Sequence, residues 1–485
     1  MLAFLPALLL ALQPASGDGL DAYVRTFAQV YATVEREAAD PIDPAKAIYG
    51  GAIPAMLRPL DPHSVFFDPD QFEQVRKMQD SVSRGFGSVV SIVPGRVIVL
   101  QAEAGTPSAK AGLMPGDEMV AINGFRLDRL DTEQLVQLLS ESRQKPVTID
   151  VRRPGSARTL TFVLTPEDMQ APSVERVFFV RPGIGYIRVS SFDAKTGADL
   201  RKAIEKLGGA SLKGLVLDLR KNPGGSLATA LETCSLFLKP GQTLVTVRGR
   251  AIQSSEEKTP DSAKPYTFPL AVLVDGQSAS ASEVVAGSLQ DHDRAVIVGQ
   301  PTYGKGLVES VFPLSEGAGL ALTTAFYYTP SGRSIQRPLE AGQLSGANSP
   351  SRGQKDFRTD SGKAVTGGGG IQPDQIVREK PLTRLQMFLD ASGSCTFFAT
   401  DYIRAHPGIP ENFEVTSDVM DEFRGFLLSR NVAPGAGEWS QVRSWIANRL
   451  KTEILNQAFG VVKGDEVEAQ RDASILAALQ AMGVE

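Results

Sequence analysis

The chain has 485 residues, of which 42% are hydrophobic and 22% charged, and its formal net charge at pH 7 is −5. This length predicts about three or four domains, and the composition is typical of a globular protein. A slightly acidic chain without a long basic run argues against nucleic acid as a partner. The only two cysteines, Cys234 and Cys395, are too few for a disulfide framework or a metal cluster, which leaves either one bridge or two buried free thiols.

Residues 1–17 have the features of a secretory signal peptide. The apolar run from Leu2 to Leu12 is too short to cross a bilayer, and Ala15 and Gly17 supply the small residues of a cleavage site. No Lys or Arg precedes the run, so a buried N-terminal helix or a misassigned start codon remains an alternative. No later segment is apolar enough to span a membrane. We therefore expect an exported bacterial protein of the periplasm or cell envelope, whose mature chain is not inserted in the membrane.

Residues 18–80 are predicted to form a helical segment. Apolar residues recur at helical spacing from Leu20 to Ala38, and a second helix is predicted from Pro44 to Arg58. The stretch from Leu60 to Pro69 is predicted to be a loop. His63 lies in that loop, and we interpret it as a turn residue satisfied by the backbone in preference to a catalytic residue.

Residues 81–168 form a distinct unit of short strands and helices. Strands are predicted within 85–93, 96–101, 147–151 and 159–164, helices within 108–113 and 132–142, and an Asn-Gly hairpin at 123–124. This order resembles a PDZ domain, most specifically in the run Pro107-Ser-Ala-Lys-Ala-Gly-Leu-Met-Pro-Gly-Asp-Glu-Met-Val-Ala-Ile-Asn-Gly124. The resemblance implies that a peptide adds as a strand to a sheet edge and that a glycine loop takes its C-terminal carboxylate. The candidate loop is Gly85, Phe86 and Gly87; the alternative is a tight turn without a ligand.

From Gly183 to about Val377, strands alternate with helices. The strand Gly214–Leu219 is almost wholly apolar, as expected for a central buried strand, and the runs Leu270–Val274 and Ala295–Val298 repeat that pattern. Residues 172–380 are therefore predicted to form an α/β core. Within it, residues 341–370 are predicted to be a long surface loop. Residues 381–485 are predicted to be helical and to pack on the core or to form an interface.

Two short segments indicate the chemistry: Gln277-Ser-Ala-Ser-Ala-Ser-Glu283 and Thr302-Tyr-Gly-Lys-Gly306. The first places serines where a strand ends and a helix begins. A serine hydroxyl is a weak nucleophile until a base takes its proton. The lysine of the second segment can be that base if burial favours its neutral form. The pair points to Ser-Lys acyl transfer, with Ser278, Ser280 and Ser282 as candidate nucleophiles.

A third segment, Asp218-Leu-Arg-Lys-Asn-Pro-Gly-Gly225, lies between the central strand and a helix predicted over 227–237. A Pro-Gly-Gly turn leaves backbone N–H groups uncovered by side chains, and such groups can stabilise a developing oxyanion. The alternative is a strand-to-helix turn without a ligand. Because the same chain also contains the serine segment, we favour the oxyanion role.

Together with Tyr328-Thr-Pro-Ser-Gly-Arg-Ser-Ile-Gln336, these segments resemble the carboxyl-terminal processing peptidases, also called tail-specific proteases, over residues 20–378. The resemblance implies a multidomain α/β protein: a PDZ domain, a crotonase-like ββα peptidase core, and helical N- and C-terminal segments. It implies Ser280 as nucleophile, Lys305 as general base, and the N–H groups of Ala281 and of Gly224 or Gly225 as oxyanion donors. It implies no metal or organic cofactor. The last 105 residues lie outside the resemblance.

The chain departs from the resemblance at one position. Many members have a glutamine four residues after the lysine, which orients it, and this chain has Glu309. A carboxylate beside Lys305 would stabilise the ammonium form and weaken the base near neutral pH. Glu309 can also point elsewhere, be protonated, or move activity to higher pH. We expect Glu309→Gln to keep or raise hydrolysis near neutral pH.

Two alternatives remain open. A Ser-His-Asp triad would use His292, which follows Asp291 and lies 12 residues beyond Ser280, although His292 is expected to cap a helix or to face solvent. The favoured function is an endopeptidase that captures unstructured protein C-termini through its PDZ domain. The alternative is a catalytically weak or inactive peptide-binding protein or chaperone on the same scaffold. The C-terminal helices are candidates for homo-oligomer or adaptor contacts.

Overall fold

The computed structural model describes residues 17–79, 82–93, 95–143, 145–251, 253–339, 356–378 and 380–484. The predicted signal peptide, apart from Gly17, lies outside these ranges. No helix in the described ranges combines the length and the apolar character needed to cross a membrane. Cys234 and Cys395 are both buried free thiols, which confirms the second of the two expectations for them.

The N-terminal segment is mostly helical, as predicted. Its elements are α1 (Gly17–Glu37), α2 (Pro44–Ala47), α3 (Ile53–Leu57), β1 (Val65–Phe67), α4 (Pro69–Gln79) and β2 (Val82–Gly85). The predicted second helix is present, but a π-helical turn at Ile48–Ala52 divides it into α2 and α3. The strand β1 lies within the stretch that the sequence predicted as loop, and it pairs with a strand of the α/β core described below.

A small unit of strands and helices follows. Its elements are β3 (Ser88–Val93), β4 (Arg96–Ala102), α5 (Pro107–Ala111), β5 (Glu118–Ile122), β6 (Phe125–Arg126), α6 (Thr132–Ser142), β7 (Val147–Arg152), β8 (Leu160–Leu164) and β9 (Glu167–Gln170). The main sheet has the strand order β3-β4-β5-β7-β8, with β6 paired to β5. Asn123 and Gly124 both have positive φ, 50° and 80°, so the predicted Asn-Gly hairpin is confirmed. The strand β3 forms one edge of the sheet, and α6 contacts it.

The α/β core contains two sheets. Its elements are β10 (Val174–Arg181), β11 (Ile184–Val189), α7 (Thr196–Lys206), β12 (Gly214–Asp218), α8 (Leu227–Ser235), β13 (Thr243–Gly249), β14 (Ser255–Lys258), β15 (Leu270–Val274), α9 (Ala281–Asp291), β16 (Val296–Gly299), β17 (Leu307–Pro313), β18 (Gly319–Tyr328), β19 (Phe357–Arg358), β20 (Ala364–Val365) and β21 (Gln375–Ile376). One sheet has the order β10-β11-β12-β15-β16-β21, and the other runs β1-β18-β13-β14 with β17 paired to β18. Every residue of β12 and β15 is buried, as predicted for central strands. The strands β19 and β20 pair with each other, so the prediction of a loop is wrong for residues 357–365.

The C-terminal segment is helical, as predicted. It consists of α10 (Arg384–Ala391), α11 (Ser394–Ala405), α12 (Ser417–Ser429), α13 (Ala436–Phe459), α14 (Val461–Ala469) and α15 (Ala473–Ala481). Helix α15 covers one face of the six-stranded sheet, where Ile475 and Leu479 join a buried cluster with Val216 and Leu273. The segment also reaches the small unit, because the Val461 N–H donates to the Gln101 side chain at 3.0 Å.

Candidate active site

The serine segment forms a sharp turn between strand β15 and helix α9. Ser280 precedes the first residue of α9 and has φ 54° and ψ −114°. A non-glycine residue in this region costs about 1–3 kcal/mol, and such strain persists where the surrounding structure imposes it. Ala281 begins the helix, as predicted. Its N–H therefore belongs to the helical turn whose amides have no partner within the helix.

The other two serines of the segment are buried and already used by the fold. The Ser278 hydroxyl donates to the Leu219 carbonyl at 2.8 Å, and the Ser282 hydroxyl donates to the Asn222 carbonyl at 2.9 Å. Both side chains are fully enclosed. Neither hydroxyl is placed to attack a substrate, so of the three candidates Ser280 has the position of a nucleophile.

Glu283 connects the serine segment to the lysine segment. One of its carboxylate oxygens, Oε2, accepts the N–H of Ser280 at 2.9 Å and the N–H of Lys305 at 2.8 Å. The other, Oε1, accepts the N–H of Gly304 at 2.8 Å and the hydroxyl of Thr302. Burial raises the pKa of Glu283 to about 7, against the lowering effect of these four donors. The nucleophile and the candidate base are thus fixed to one carboxylate.

The lysine loop is also fixed from its other side. The Gly306 N–H donates to the Gln336 side chain at 2.8 Å, and the Gly304 carbonyl accepts the Arg337 N–H at 2.9 Å. The Tyr327 hydroxyl lies within hydrogen-bonding distance of the carbonyls of both Ser280 and Lys305. The motif around Gln336 therefore supports the loop that carries the lysine.

The Lys305 side chain is partly buried, with 20% of it exposed. Its Nζ lies 2.8 Å from Oε1 of Glu309, which is 27% exposed. His63 approaches the same oxygen, with 4.0 Å between Nδ1 and Oε1. His63 lies in a turn, as predicted, because its N–H donates to Asp61 at 2.7 Å. Its imidazole, however, lies beside the ion pair of Lys305 and Glu309.

The Pro-Gly-Gly turn packs directly against the serine. A methyl group built on Gly224 would lie 2.9 Å from Cβ of Ser280 and 3.0 Å from N of Ala281. The Gly224 N–H is already used, because it donates to Oδ1 of Asn222 at 2.8 Å. The N–H groups of Gly225 and Ala281 meet no acceptor in the described part of the chain. Of the two glycines that the sequence left open, Gly225 is therefore the one whose N–H remains available as a donor.

His292 is held by the fold and lies at the end of α9, as expected. Its Nδ1 lies 2.8 Å from Asp360 and its Nε2 lies 2.7 Å from the Thr243 carbonyl. Asp291 forms a buried ion pair with Arg333 at 2.7 Å. With both ring nitrogens occupied, His292 offers no support for a Ser-His-Asp triad at Ser280.

The candidate carboxylate loop lies at the entrance to the small unit. Gly85 ends β2, which pairs with β9. The Phe86 carbonyl accepts the Ser108 N–H at 2.9 Å, and the Gly87 carbonyl accepts the Glu103 N–H at 2.8 Å. The loop leads directly into the edge strand β3, which is where an added peptide strand would bind.

Sequence reasoning gave no role to Glu283 or to the side chain of His63. Glu283 stands three residues after Ser280, at the spacing of a helix capping box, so a signal for its contact with the Ser280 backbone was available. His63 carries no comparable local signal, because its place depends on strand pairing between distant parts of the chain.

Comparison with known proteins gives matches for both units. Residues 183–341 match peptidase family S41, and residues 98–153 match the PDZ domain. The chain is similar to the carboxy-terminal-processing protease of Bartonella bacilliformis, with 38% identity over 59% of this chain and 66% of that protein. It is 34% identical to the carboxyl-terminal-processing protease of Synechocystis, over 59% of this chain and 68% of that protein.

Among solved structures, the chain is similar to the photosystem II D1 C-terminal processing protease, with 26% identity and a TM-score of 0.40 over 72% of this chain and 86% of that one. The matched region spans just under two thirds of the Bartonella protein, at 66%, and 58% of carboxyl-terminal-processing peptidase 2 of Arabidopsis thaliana.

Proposed function

The chain belongs to peptidase family S41, and from that premise we propose that it is a serine endopeptidase that cleaves unstructured C-terminal regions of proteins. The observation that carries the proposal is the shared carboxylate of Glu283. It binds the backbone N–H groups of Ser280 and Lys305 through one oxygen. This contact ties the backbones of the two residues to one carboxylate, which supports the proposal that they act together as a Ser-Lys pair.

In the proposed reaction, the neutral amine of Lys305 takes the proton of the Ser280 hydroxyl, and Oγ attacks the scissile carbonyl. The tetrahedral oxyanion accepts hydrogen bonds from the N–H groups of Gly225 and Ala281. The lysine then gives the proton to the leaving amine, and an acyl-enzyme remains on Ser280. A water molecule, deprotonated by the same lysine, hydrolyses the ester and regenerates the hydroxyl. Glu309 is the third candidate side chain of the site, since its Oε1 lies 2.8 Å from Nζ of Lys305.

Substrate capture is assigned to the PDZ domain. Its strand β3 is an edge strand that contacts helix α6, and a peptide is proposed to add to it as a further strand. The loop formed by Gly85, Phe86 and Gly87 leads into that strand and is proposed to bind the terminal carboxylate. We also propose that the protein acts in the periplasm or cell envelope, as the predicted signal peptide implies.

A serine-directed covalent probe tests the proposal. We expect the wild-type chain to be labelled and Ser280→Ala not to be. Ser282→Ala is the matched control: it removes a hydroxyl two residues away, and it should keep labelling because the Ser282 hydroxyl binds the Asn222 carbonyl. Peptide mapping of the labelled wild type should place the adduct on Ser280. Melting temperatures of all three proteins verify that they are folded.

The alternative function, a non-catalytic peptide-binding protein, predicts a different result. Such a protein would bind a peptide with a free C-terminus and would remain unlabelled at every pH tested. That outcome, or an adduct that persists in Ser280→Ala, would refute the peptidase proposal.

A further inference from the structure

The N-terminal segment contributes a histidine to the surroundings of the candidate base. His63 Nδ1 and Lys305 Nζ approach the same oxygen of Glu309, at 4.0 Å and 2.8 Å. That oxygen is shielded from solvent and accepts no hydrogen bond in the described ranges, and Lys305 meets it as an ion-pair partner. A shift of about 1 Å would bring Nδ1 within hydrogen-bonding distance. One carboxylate oxygen is therefore available to two side chains that can each bear a positive charge.

The chain builds this arrangement from three strands. The buried carboxylate of Asp61 accepts the N–H groups of His63 and Ser64 at 2.7 and 2.9 Å. The Ser64 hydroxyl in turn accepts the N–H of Thr323 on β18 at 3.2 Å. Thr323 pairs across the sheet with Glu309 on β17, and β1 continues the same pairing from Val65 onward. Strand register thus sets the position of the imidazole opposite Glu309.

The charges around the imidazole come from each element that faces it. Lys305 lies on the loop before β17, Glu309 on β17, and Asp61 on the same turn as His63. Burial lowers the pKa of His63 below 6.5, and Lys305 lowers it further, while Glu309 and Asp61 act in the opposite direction. This lowering of the pKa favours the neutral imidazole. A neutral imidazole with its proton on Nδ1 can donate to Glu309 without repelling the lysine.

We propose that His63 is a positioning residue that competes with Lys305 for Glu309 and so limits how strongly this carboxylate holds the lysine in its charged form. The idea rests on the proposed function, since it concerns the base of that reaction. A hydrogen bond from His63 to Oε1 draws charge away from the Lys305–Glu309 ion pair. More of the lysine is then available as a neutral amine when substrate binds. His63 offsets, in this chain, the presence of a carboxylate beside the base.

A double-mutant cycle between His63 and Glu309 tests the proposal by the pH profile of kcat/KM on a peptide substrate. His63→Phe keeps a planar ring but has no donor. We expect it to move the rise of activity to higher pH and to lower activity at pH 7 by about twofold to fivefold, within the whole effect of a partly exposed ion pair. In the Glu309→Gln background the same substitution should leave the profile in place, because no charged carboxylate remains to be shared.

The chain offers a matched control. His406 Nε2 lies 3.9 Å from Glu422 in the C-terminal helices, at nearly the same separation as the His63–Glu309 pair. His406→Phe should leave the pH profile unchanged. His63→Asn, which retains a side-chain donor, should recover part of the shift seen with His63→Phe. If His63→Phe does not fold, His63→Leu, which also has no donor, replaces it in the cycle.

The outcomes separate the two proposals. If the wild type neither binds the probe nor cleaves peptides, the proposed function itself fails. If the wild type is active but the His63 substitutions lower activity equally at all pH values, His63 has a merely structural role and the inference is overturned. A shift that persists in the Glu309→Gln background also overturns it, because His63 would then act without the shared carboxylate.

Discussion

The two sides of the candidate site are built in different ways. On the serine side, the start of α9 is buried. Apart from the bond of the Ser280 N–H to Glu283, this segment and the neighbouring Pro-Gly-Gly turn are fixed by hydrogen bonds between backbone groups and uncharged side chains. On the lysine side, three titratable groups from separate elements meet, and Lys305, Glu309 and His63 remain 20%, 27% and 19% exposed. The Asn222 side chain that fixes the Pro-Gly-Gly turn is not titratable, whereas the side chains that meet on the second side are. Substitutions on the serine side should therefore lower activity at every pH, and those on the lysine side should move the pH profile.

Gly225→Ala tests the serine side and should have the largest effect. Gly225 has φ 140°, and an added methyl group would lie 2.1 Å from the Phe192 carbonyl oxygen. The turn must then move, and the proposed oxyanion donor moves with it. We expect kcat to fall by about 10²–10³, equally across the pH range, in steady-state assays on a peptide substrate.

The matched control for this substitution is Gly241→Ala. Gly241 also has a positive φ, 78°, but a methyl group there meets no atom within 4 Å, so only the backbone conformation is strained. Kinetics close to wild type in Gly241→Ala would assign the loss to the oxyanion turn. Near-normal kcat in Gly225→Ala would exclude Gly225 as an oxyanion donor.

Glu283→Gln tests the connection between the two sides and should have an intermediate effect. Four donors bond to the two oxygens of the Glu283 carboxylate. In glutamine, an NH₂ group takes the place of one of these oxygens, and an NH₂ group cannot accept a hydrogen bond. At least one buried N–H loses its partner, at about 1–3 kcal/mol. We expect kcat to fall by about tenfold or more, with melting temperature measured in parallel to separate catalysis from folding.

The pKa of Glu283 gives this substitution a second signature. Because burial raises that pKa to about 7, the carboxylate binds a proton on acidification and can no longer accept from all four donors. Activity that depends on Glu283 should therefore be lost as pH falls below about 7, and Glu283→Gln should lack this acid limb. The contribution to stability has the opposite sign: it is present below the ordinary glutamate pKa and is lost as pH rises through about 7. An unchanged acid limb in Glu283→Gln would refute this assignment.

The sequence predicted the parts of the site that depend on local patterns. The apolar strand that ends in a helix start and the glycines around Lys305 indicated the serine and lysine segments, and the resemblance to carboxyl-terminal processing peptidases implied Ser280 among the three serines. The sequence could not predict that the Gly224 N–H is bonded and the Gly225 N–H is not, because this difference depends on the orientation of the Asn222 side chain. The contact of His63 with Glu309 depends on the pairing of Ser64 with Thr323, 259 residues apart, and no local pattern encodes that register.

The fold, like the site, was predictable where local sequence patterns encode it and not elsewhere. Continuous apolar runs were enough to predict the central strands, because burial on both faces of a sheet demands near-continuous apolar sequence. Apolar residues that share a helix face predicted the helical C-terminal segment. Residues 357–365 were predicted as loop, and the structure gives them a short hairpin whose backbone binds the end of α9, where the Asp360 N–H donates to the Asp291 carbonyl at 2.8 Å. A two-residue strand has too few positions to show a periodic pattern.

Glu309→Gln tests the lysine side and should have the smallest effect at neutral pH. It removes the negative charge 2.8 Å from Lys305 Nζ but keeps a side chain of the same shape. Because a partly exposed pair of this kind contributes only about 1 kcal/mol, we expect kcat/KM near pH 7 to stay the same or to rise within about fivefold.

The pH profile of kcat/KM from about pH 6 to 9 is the informative measurement for this variant, because loss of the carboxylate favours the neutral amine and should move the rise of activity to lower pH. Glu466→Gln is the matched control, since Glu466 pairs with Lys463 at the same 2.8 Å and with similar exposure, and its profile should not move. A collapse of activity at every pH in Glu309→Gln would mean that the carboxylate itself is required for the reaction. The lysine side would then resemble the serine side, because a substitution there would lower activity at every pH and would not move the pH profile.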